Sequence, residues 1–358
     1  MRIVVMVGVG LLIAGCGKAV TTDVAKRQSD RSDVSIKVVA TVGMVADLVK
    51  RVGGDRIEVT QMMGPGVDPH LYKATRDDVQ SILQSDLVFY SGLMLEGKMI
   101  DTLVKLGSRK KIIAVTDGLD KSLYLEPAEF HGHFDPHIWM DVSAWSKCLS
   151  IIADTLSEYD TEHATEYRTA ASQYENELMK LHQYGVDCIA SIPVESRVLI
   201  TSHDAFHYFG RAYGLEVMGI QGISTESEAG LQRINEFVDL IVHRKISAVF
   251  IESSVPRKNI ESLIEGAKFR GHEMRIGGEL FSDAMGSPGT YEGTYFGMLD
   301  HNITTVTRSL GGTAPDGGFS GKLNRKSTNR GFRGKDIESK MRLARSYCLM
   351  KTDDGADR

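Results

Sequence analysis

Residues 161–192 read TEHATEYRTAASQYENELMKLHQYGVDCIASI, a stretch rich in Glu, Ala, Leu, Gln and Tyr. It contains one glycine, Gly185, and no proline, and the residue that follows it is Pro193. A single helix here would be roughly 45 Å long at about 1.5 Å per residue, enough to run the length of a two-lobed body. The alternative is two shorter helices that meet at Gly185. We therefore expect residues 161–192 to form a rigid helix that links two lobes.

Apolar segments that alternate with helical patterns flank this stretch on both sides. In the first lobe, residues 36–160, the pattern predicts strands at 36–42, 57–63, 86–90 and 111–115 and helices at 44–52, 76–84, 98–106 and 142–159, the last capped by Ser143. In the second lobe, residues 193–312, it predicts strands at 197–201, 216–220, 248–252 and 274–280 and helices at 205–213, 230–244, 257–267 and 291–310. Such alternation favours an α/β fold in which each lobe has a mostly parallel sheet flanked by helices.

The N-terminus has the pattern of an export signal. Arg2 supplies one positive charge, a short apolar run follows, and Leu12-Ile13-Ala14-Gly15-Cys16 resembles a bacterial lipobox, in which cleavage leaves a lipidated cysteine. We expect residues 1–15 to be a lipoprotein signal peptide and residues 16–35 to be a flexible tether from lipidated Cys16. The alternatives are an ordinary signal peptide and a buried N-terminal helix. The expected contact with the membrane is through the lipid anchor only.

Composition and charge favour a small ligand over a polymer. The chain has 358 residues, a formal net charge of −5 and a pI near 6.1, so nothing in its charge indicates a nucleic-acid partner. Residues 313–358 differ, with eleven Lys or Arg against six Asp or Glu and no core pattern, which predicts a basic disordered tail. Contact of this tail with anionic lipid is an alternative. Cys148 and Cys188 are expected to be buried helix residues, and their spacing leaves a disulfide between them open.

Four loops each offer one side chain that can bind a metal. Two of them contain the tripeptides Asp68-Pro69-His70 and Asp135-Pro136-His137, and two others contain Ser202-His203-Asp204 and Phe281-Ser282-Asp283 after predicted strands. Imidazole and carboxylate are ligands for first-row divalent metals, and open α/β sheets bind ligands at the loops that follow their strands. The pattern predicts one metal ion between the lobes, held by His70, His137, His203 and Asp283.

Other polar residues near these loops are expected to support them. Asp68 and Asp135 precede Pro and would fix their loops by local hydrogen bonds. The candidates for a hydrogen bond to a ligand ring are Asp141, Asp204 and Glu252, although Glu252 could instead cap the next helix. His207 follows His203 by four residues, so it either forms a paired site with it or packs against the cleft wall. Ser or Thr in the loop 222–226 is expected to cap a helix.

Five blocks of the sequence, taken in order, carry a family resemblance. They are Gly64–His70, Gly92–Met99, Asp135–Asp141, Ser202–Phe209 and Phe281–Ala284. Over about residues 36–312 the chain resembles the zinc- and manganese-binding solute-binding lipoproteins of bacterial ABC importers, the TroA-like group. The resemblance implies two α/β lobes joined by one long helix, with one metal ion between them that is handed to a membrane permease driven by a separate ATPase. It also implies that His70, His137, His203 and Asp283 bind this ion.

The ligand set bears on the choice of metal. Three imidazoles and one carboxylate suit tetrahedral Zn²⁺, and the Irving–Williams order also favours zinc over manganese. Mn²⁺ remains an alternative, in particular if Asp283 binds with both oxygens, and members of the group with three histidines are linked to manganese and iron as well. The segment 129–134 is much shorter than the His-rich loop of many zinc-specific relatives. His131 and His133 are therefore either a vestigial metal-collecting loop or part of a short polar loop at the cleft rim.

These patterns lead to one main functional prediction. We expect an exported, lipid-anchored, monomeric carrier, not an enzyme, that captures one divalent metal ion on the periplasmic or outer side of a bacterial membrane and delivers it to an ABC permease. A stiff linking helix predicts small lobe movements. The alternatives are a metal-dependent hydrolase with an open zinc site and a surface adhesin.

Overall fold

The structure is a computed structural model that describes residues 35–130 and 132–323, apart from the side chain of Glu129. The predicted signal peptide, Cys16, most of the tether, His131, Cys348 and the tail beyond residue 323 lie outside the described residues. The described residues from Ile36 to Leu323 belong to one compact unit. Within the described ranges, no helix combines the length and the apolar character that a membrane crossing needs.

The first lobe contains a parallel sheet of four strands in the order β2-β1-β3-β4. The strands are β1 (Ile36–Ala40), β2 (Ile57–Gln61), β3 (Leu87–Tyr90) and β4 (Lys111–Ala114). Val38 in β1 pairs with Val59 on one side and with Leu87 on the other. Val38 and Val39 point to opposite faces of the sheet and both are buried, because helices cover both faces.

Helices of the first lobe pack on this sheet. They are α1 (Gly43–Gly53), α2 (Arg76–Gln84), α3 (Ile100–Gly107), α4 (Val142–Trp145) and α5 (Cys148–Tyr159). Helix α2 begins with a capping box, in which Thr75 accepts from the backbone of Asp78 and the Asp78 carboxylate accepts from the backbone of Thr75. This local pattern explains why its predicted bounds match the structure.

The segment 142–159 is not the single helix that its sequence predicts. It divides into α4 and α5, because the chain between Trp145 and Cys148 has tighter turns, with Lys147 N–H donating to the carbonyl of Ala144. The cap also differs from the prediction. Asp141, not Ser143, is the N-cap of α4, and its Oδ1 accepts from the backbone N–H groups of Ser143 and Ala144.

One long helix, α6 (Ala164–Ala190), connects the two lobes after a 3₁₀ turn at Thr161–His163. Its 27 residues correspond to about 40 Å. The helix runs through Gly185 without a break, so the alternative of two shorter helices is wrong. A Cβ atom at Gly185 would lie 2.6 Å from Cε1 of Tyr213. The glycine therefore permits a close helix contact and does not end the helix.

The second lobe is built on two separate pairs of parallel strands. They are β5 (Val198–Thr201) with β6 (Glu216–Gly219), and β7 (Ala248–Glu252) with β8 (Arg275–Leu280). The helices of this lobe are α7 (His207–Tyr213), α8 (Leu231–Arg244), α9 (Lys258–Phe269) and α10 (Tyr295–Ser309). The sequence predicts these strands and their direction, but as one sheet.

Residues 313–323 pack on the body, in contrast to the disordered tail that the sequence predicts from Thr313. Phe319 N–H donates to Oδ1 of buried Asp300 at 2.8 Å, and the Phe319 ring packs against Tyr184 of α6. Leu323 is buried as well. Cys148 and Cys188 are buried, as predicted, and both are free thiols, so the disulfide that the spacing left open is absent.

Candidate metal centre

Four side chains from four separate loops converge between the lobes. His70 lies in the loop after β2, His137 precedes a 3₁₀ turn at Ile138–Met140, His203 follows β5 and Asp283 follows β8. All four are buried, and one nitrogen or oxygen from each lies within 4.8 Å of the others. The structure thus brings together the four residues that the sequence singles out, two from each lobe.

The distances among these donors are short. His70 Nε2 lies 3.2 Å from His137 Nε2, which in turn lies 3.4 Å from Asp283 Oδ1. Asp283 Oδ2 lies 3.2 Å from His203 Nε2 and 3.8 Å from His70 Nε2. Among the described residues, neither oxygen of Asp283 has a hydrogen-bond partner of good geometry, although both are buried. Buried carboxylate oxygens that face three imidazole nitrogens form a donor set suited to a divalent metal.

Each Asp-Pro-His tripeptide uses its aspartate to hold the histidine backbone. The His70 N–H donates to Asp68 Oδ1 at 2.9 Å, and the His137 N–H donates to Asp135 Oδ1 at 2.9 Å. The prediction that both aspartates fix their loops by local hydrogen bonds agrees with these contacts. Asp135 Oδ1 also lies 2.7 Å from His137 Nδ1. A proton on Nδ1 is thereby favoured, which leaves Nε2 to face the other donors.

Glu252 at the end of β7 plays the same part for His203. Its Oε1 accepts from the His203 backbone N–H at 2.9 Å, and its Oε2 lies 2.5 Å from His203 Nδ1. Of the two roles that the sequence leaves open for Glu252, the structure has the contact with the histidine. The Nε2 atom of His203 then points toward Asp283.

Burial and nearby charges give the three imidazoles different proton affinities. Burial lowers the pKa of His70 to about 3, with the nearby imidazoles acting in the same direction and the Asp283 carboxylate opposing them. Burial would also lower the pKa of His137, but the carboxylates of Asp135 and Asp283 outweigh it and raise this pKa to about 9. In the metal-free protein, His70 is therefore neutral near pH 7, whereas His137 is protonated on both ring nitrogens and positively charged.

The same competition acts on the other two members of the cluster. Burial opposes a charge on His203, but the carboxylates of Glu252 and Asp283 hold its pKa well above the ordinary value. Burial would raise the pKa of Asp283, but the imidazoles of His203 and His137 hold that pKa well below its usual range. The metal-free cluster is thus a set of ion pairs whose imidazole protons a metal ion must displace.

Asp141 differs from its predicted position, and Asp204 contacts a histidine outside the cluster. Asp141 caps α4, and its Oδ2 accepts from Arg211 at 2.9 Å, so it supports a helix end and not a ring of the cluster. Asp204 Oδ1 lies 3.2 Å from Nε2 of His207. His207 is not one of the four clustered donors. Its Nδ1 lies 3.2 Å from Asp135 Oδ2, so it contacts the carboxylate behind His137.

Two contacts between the lobes were not apparent from the sequence. Thr225 Oγ1 donates to Asp68 Oδ2 at 2.6 Å, although the sequence suggests a helix cap in this loop. The N-cap of α8 is Gly230, and no side chain caps it. Trp139 Nε1 donates to the carbonyl of Ser282 at 3.0 Å, which joins the His137 loop to the Asp283 loop. No local pattern signals such pairs, because their members are far apart in the sequence.

Known proteins are similar to this chain in sequence. The family described as "Zinc-uptake complex component A periplasmic", ZnuA, matches residues 38–309. The manganese-binding lipoprotein MntA of Bacillus subtilis is 45% identical over 298 residues, which cover 83% of this chain and 95% of that protein. The zinc-binding protein TroA of Treponema pallidum is 46% identical over 275 residues, which cover 76% of this chain and 88% of that protein.

Solved structures give the same result. The periplasmic zinc-binding protein TroA from Treponema pallidum superposes with a TM-score of 0.75 at 45% identity, over 77% of this chain and 99% of that chain. Fe(III)-bound YtgA from Chlamydia trachomatis superposes with a TM-score of 0.71 at 26% identity, over 78% of this chain and 99% of that chain. The chain therefore belongs to the ZnuA/TroA family of metal-binding, substrate-binding lipoproteins.

Proposed function

We propose that this protein captures one divalent transition-metal ion outside the cytoplasm and delivers it to an ABC permease. The observation that carries the proposal is the buried cluster of three imidazoles and one carboxylate, whose donor atoms all lie within 4.8 Å. Membership of the ZnuA/TroA family supports the transport role. The metal is cargo that the protein binds and releases.

The proposed ligands are Nε2 of His70, His137 and His203 and the carboxylate of Asp283. In a tetrahedral site with zinc–nitrogen bonds of about 2.0–2.1 Å, neighbouring donors lie about 3.3 Å apart. The closest donor pairs here are 3.2, 3.4 and 3.2 Å apart, and the last two involve different oxygens of Asp283. Such spacing supports one ion bound by all four side chains.

The donor set favours zinc in simple competition, because three nitrogens and one oxygen suit Zn²⁺ better than Mn²⁺. Sequence similarity does not separate the two metals. One relative named for manganese and one named for zinc are both about equally similar to this chain, at 45% and 46% identity. We propose that Zn²⁺ binds more tightly than Mn²⁺ in vitro, and that Mn²⁺ also binds.

A carrier explains the cluster better than a hydrolase does. Four protein donors complete a tetrahedral coordination sphere, whereas a catalytic zinc site keeps a position for water or substrate. The family comparisons favour a transport protein and lend no support to a hydrolase or to an adhesin. We therefore propose that the protein is not an enzyme.

The proposed partners are a membrane permease and its separate ATPase. Relatives named as lipoproteins, one of them as the lipoprotein of an ABC transporter, support export and attachment through the lipidated Cys16. The protein would act as a monomer on the periplasmic or outer side of the bacterial membrane, with the ion enclosed between the lobes until it meets the permease.

Metal titration of the full chain tests this proposal. After removal of bound metal, isothermal titration with Zn²⁺ should give one ion per chain, and Mn²⁺ should bind at the same site and be displaced by Zn²⁺. Absence of binding for both metals would refute the proposal.

The variant His137→Ala tests the ligand set and should bind at least about 100-fold more weakly, since it removes a donor. His163→Ala is the matched control. Its Nδ1 lies 2.8 Å from Asp160 Oδ2 at the start of the linking helix and it is not one of the clustered donors, so its loss should leave the affinity unchanged. An unchanged affinity in His137→Ala would show that the ligand assignment is wrong.

A further inference from the structure

His207 connects the two lobes directly behind the metal centre. It is the first residue of α7 in the second lobe, and its Nδ1 lies 3.2 Å from Oδ2 of Asp135 in the first lobe. On its other side, Nε2 lies 3.2 Å from Oδ1 of Asp204, the residue after His203. One imidazole therefore contacts a carboxylate beside each of two proposed ligands, one per lobe.

The contact with Asp135 determines how that carboxylate can turn. Asp135 is completely buried, and its Oδ1 holds both the backbone N–H and Nδ1 of His137, at 2.9 and 2.7 Å. Its Oδ2 faces His207. The neighbouring Tyr208 donates to the Asp135 carbonyl at 3.0 Å, which fixes the backbone but leaves rotation of the carboxylate to the two histidines. Rotation of Asp135 would move Oδ1 away from His137.

We propose that His207 is a positioning residue for the metal centre, which acts on His137 through Asp135. This inference rests on the proposed function, namely that His137 is a metal ligand. With His207 in place, Asp135 holds the His137 ring with Nε2 toward the ion. Partners of ligating imidazoles commonly change metal affinity by about 10- to 100-fold. His207 contacts Asp135 and not the proposed ligand itself, so its removal should weaken binding by about 10-fold.

The surroundings of His207 make it suitable for substitution. Its side chain is 22% exposed, and it lines a surface cavity of about 220 Å³ together with Arg233 and Glu236. The adjacent Phe206 and Tyr208 are completely buried and supply the packing of this segment. Truncation of His207 would enlarge an open cavity and would not leave a closed void in the core, so the fold should tolerate it.

Three substitutions separate a positioning role from simple packing. His207→Ala removes both contacts. His207→Asn places an amide nitrogen near the position of Nδ1 and so keeps the contact with Asp135. His207→Gln places its amide near the position of Nε2 and so keeps the contact with Asp204 only. The positioning role predicts that His207→Asn retains most of the affinity, whereas His207→Ala and His207→Gln both lose about 10-fold.

The experiment uses the full chain and Co²⁺ as the probe metal, because the visible absorption of bound Co²⁺ reports the arrangement of its ligands. We expect the Co²⁺ spectrum to change in His207→Ala and His207→Gln but not in His207→Asn, in parallel with the dissociation constants. His163→Ala, which breaks another half-buried His–Asp pair, should leave both the spectrum and the affinity unchanged. The melting temperature of each metal-free variant is measured alongside.

Each outcome decides the question. Affinities and spectra equal to wild type in all three His207 variants would overturn the inference while the proposed function stands. Equal losses in all three variants, with a lowered melting temperature in each, would show a packing role and overturn it as well. If His207→Ala fails to fold, the comparison of His207→Asn with His207→Gln still decides. If the wild-type chain binds no Co²⁺, Zn²⁺ or Mn²⁺, the proposed function itself is wrong and this inference falls with it.

Discussion

Glu252 holds both the backbone and the ring of His203, with Oε1 2.9 Å from the backbone nitrogen and Oε2 2.5 Å from Nδ1. A carboxylate can accept from the backbone N–H with one oxygen and face a protonated Nδ1 with the other. An amide cannot, because it has one acceptor and one donor end. In Glu252→Gln, if the amide oxygen accepts from the backbone N–H of His203, the amide NH₂ group faces Nδ1. This arrangement favours a proton on Nε2, where the metal should bind.

We therefore expect Glu252→Gln to weaken Zn²⁺ binding by about 10- to 100-fold, with the ring of His203 in the wrong tautomer or orientation. Competition with a chelator of known affinity measures the effect. Glu216→Gln is the control, since Glu216 pairs with Arg244 at an exposed position. Equal affinities for Glu252→Gln and wild type would mean that Glu252 does not orient the ring.

Metal affinity should rise with pH. The carboxylates of Asp135 and Asp283 raise the pKa of His137 to about 9 against the effect of burial, so the metal-free ring keeps its proton at pH 7 and loses it as the pH rises through about 9. The raised pKa of His203 acts in the same direction. Each proton that the metal displaces weakens binding about tenfold per unit decrease in pH below the pKa.

The expected change in Zn²⁺ affinity between pH 8 and pH 7 is therefore between about 10- and 100-fold, after correction for the competing chelator. His70 adds nothing in this range, because its pKa is lowered to about 3. Titration calorimetry in buffers with different ionisation enthalpies measures the released protons directly. Binding that is independent of pH and releases no protons would contradict the raised pKa values of His137 and His203.

The sequence predicts the elements of the fold that carry local signals. Thr75 and Asp78 mark the start of α2, and its bounds agree with the structure. The break between α4 and α5 carries no such signal, because Trp145, Cys148 and Leu149 continue a helical apolar pattern and are all buried. Apolar periodicity reports which side faces the core, and here it does not report whether the backbone between two helical turns is α or 3₁₀.

The residues of the site also divide into those that a local sequence pattern identifies and those that only the folded structure shows. Short tripeptides identify His70 and His137, and Asp135 could be found because it lies two residues before its partner. The separation of the second-lobe strands into two pairs, and the contact of Thr225 with Asp68, depend on how distant segments meet. Single-sequence patterns contain no register between such segments, so these features needed the structure.

The contact between Thr225 and Asp68 predicts an effect on metal release. Asp68 Oδ1 accepts from the His70 backbone and its Oδ2 accepts from Thr225 Oγ1 of the other lobe at 2.6 Å. Lys98, in the segment after β3, and Glu226, which follows Thr225, form a second contact between the lobes, with their charged atoms 3.7 Å apart. These contacts hold the two lobes together beside a proposed ligand.

Thr225→Val keeps the shape of the side chain but removes its hydroxyl. Hydrogen bonds to charged groups contribute about 1.5–3 kcal/mol. Because Lys98 and Glu226 would still hold the lobes together, we expect metal dissociation to become only about 3- to 10-fold faster. Stopped-flow mixing of the Zn²⁺-loaded chain with excess chelator measures this rate. Thr169→Val, on the exposed surface of the linking helix, serves as the control. An unchanged rate in Thr225→Val would show that this contact does not limit release.

The segment 313–323 lies beyond the family match at residue 309 and should nevertheless stabilise the body. Asp300 is buried, its Oδ1 accepts from the backbone of Phe319 and its Oδ2 accepts from Tyr291 at 2.7 Å. The Phe319 ring packs against Tyr184 of the linking helix and Phe296 of α10. The segment therefore ties the linking helix to the last helix of the second lobe.

We expect a chain that ends after Gly312 to melt about 2–6 °C lower than one that ends after Leu323, because it exposes apolar surface and removes two backbone donors from Asp300. Phe319→Ala should cause part of this loss, since it removes the ring contacts and keeps the backbone N–H. Thermal unfolding of the metal-free forms measures both effects. Equal melting temperatures for the two chain lengths would mean that the ordering entropy of the segment offsets its contacts, and that it has no stabilising role.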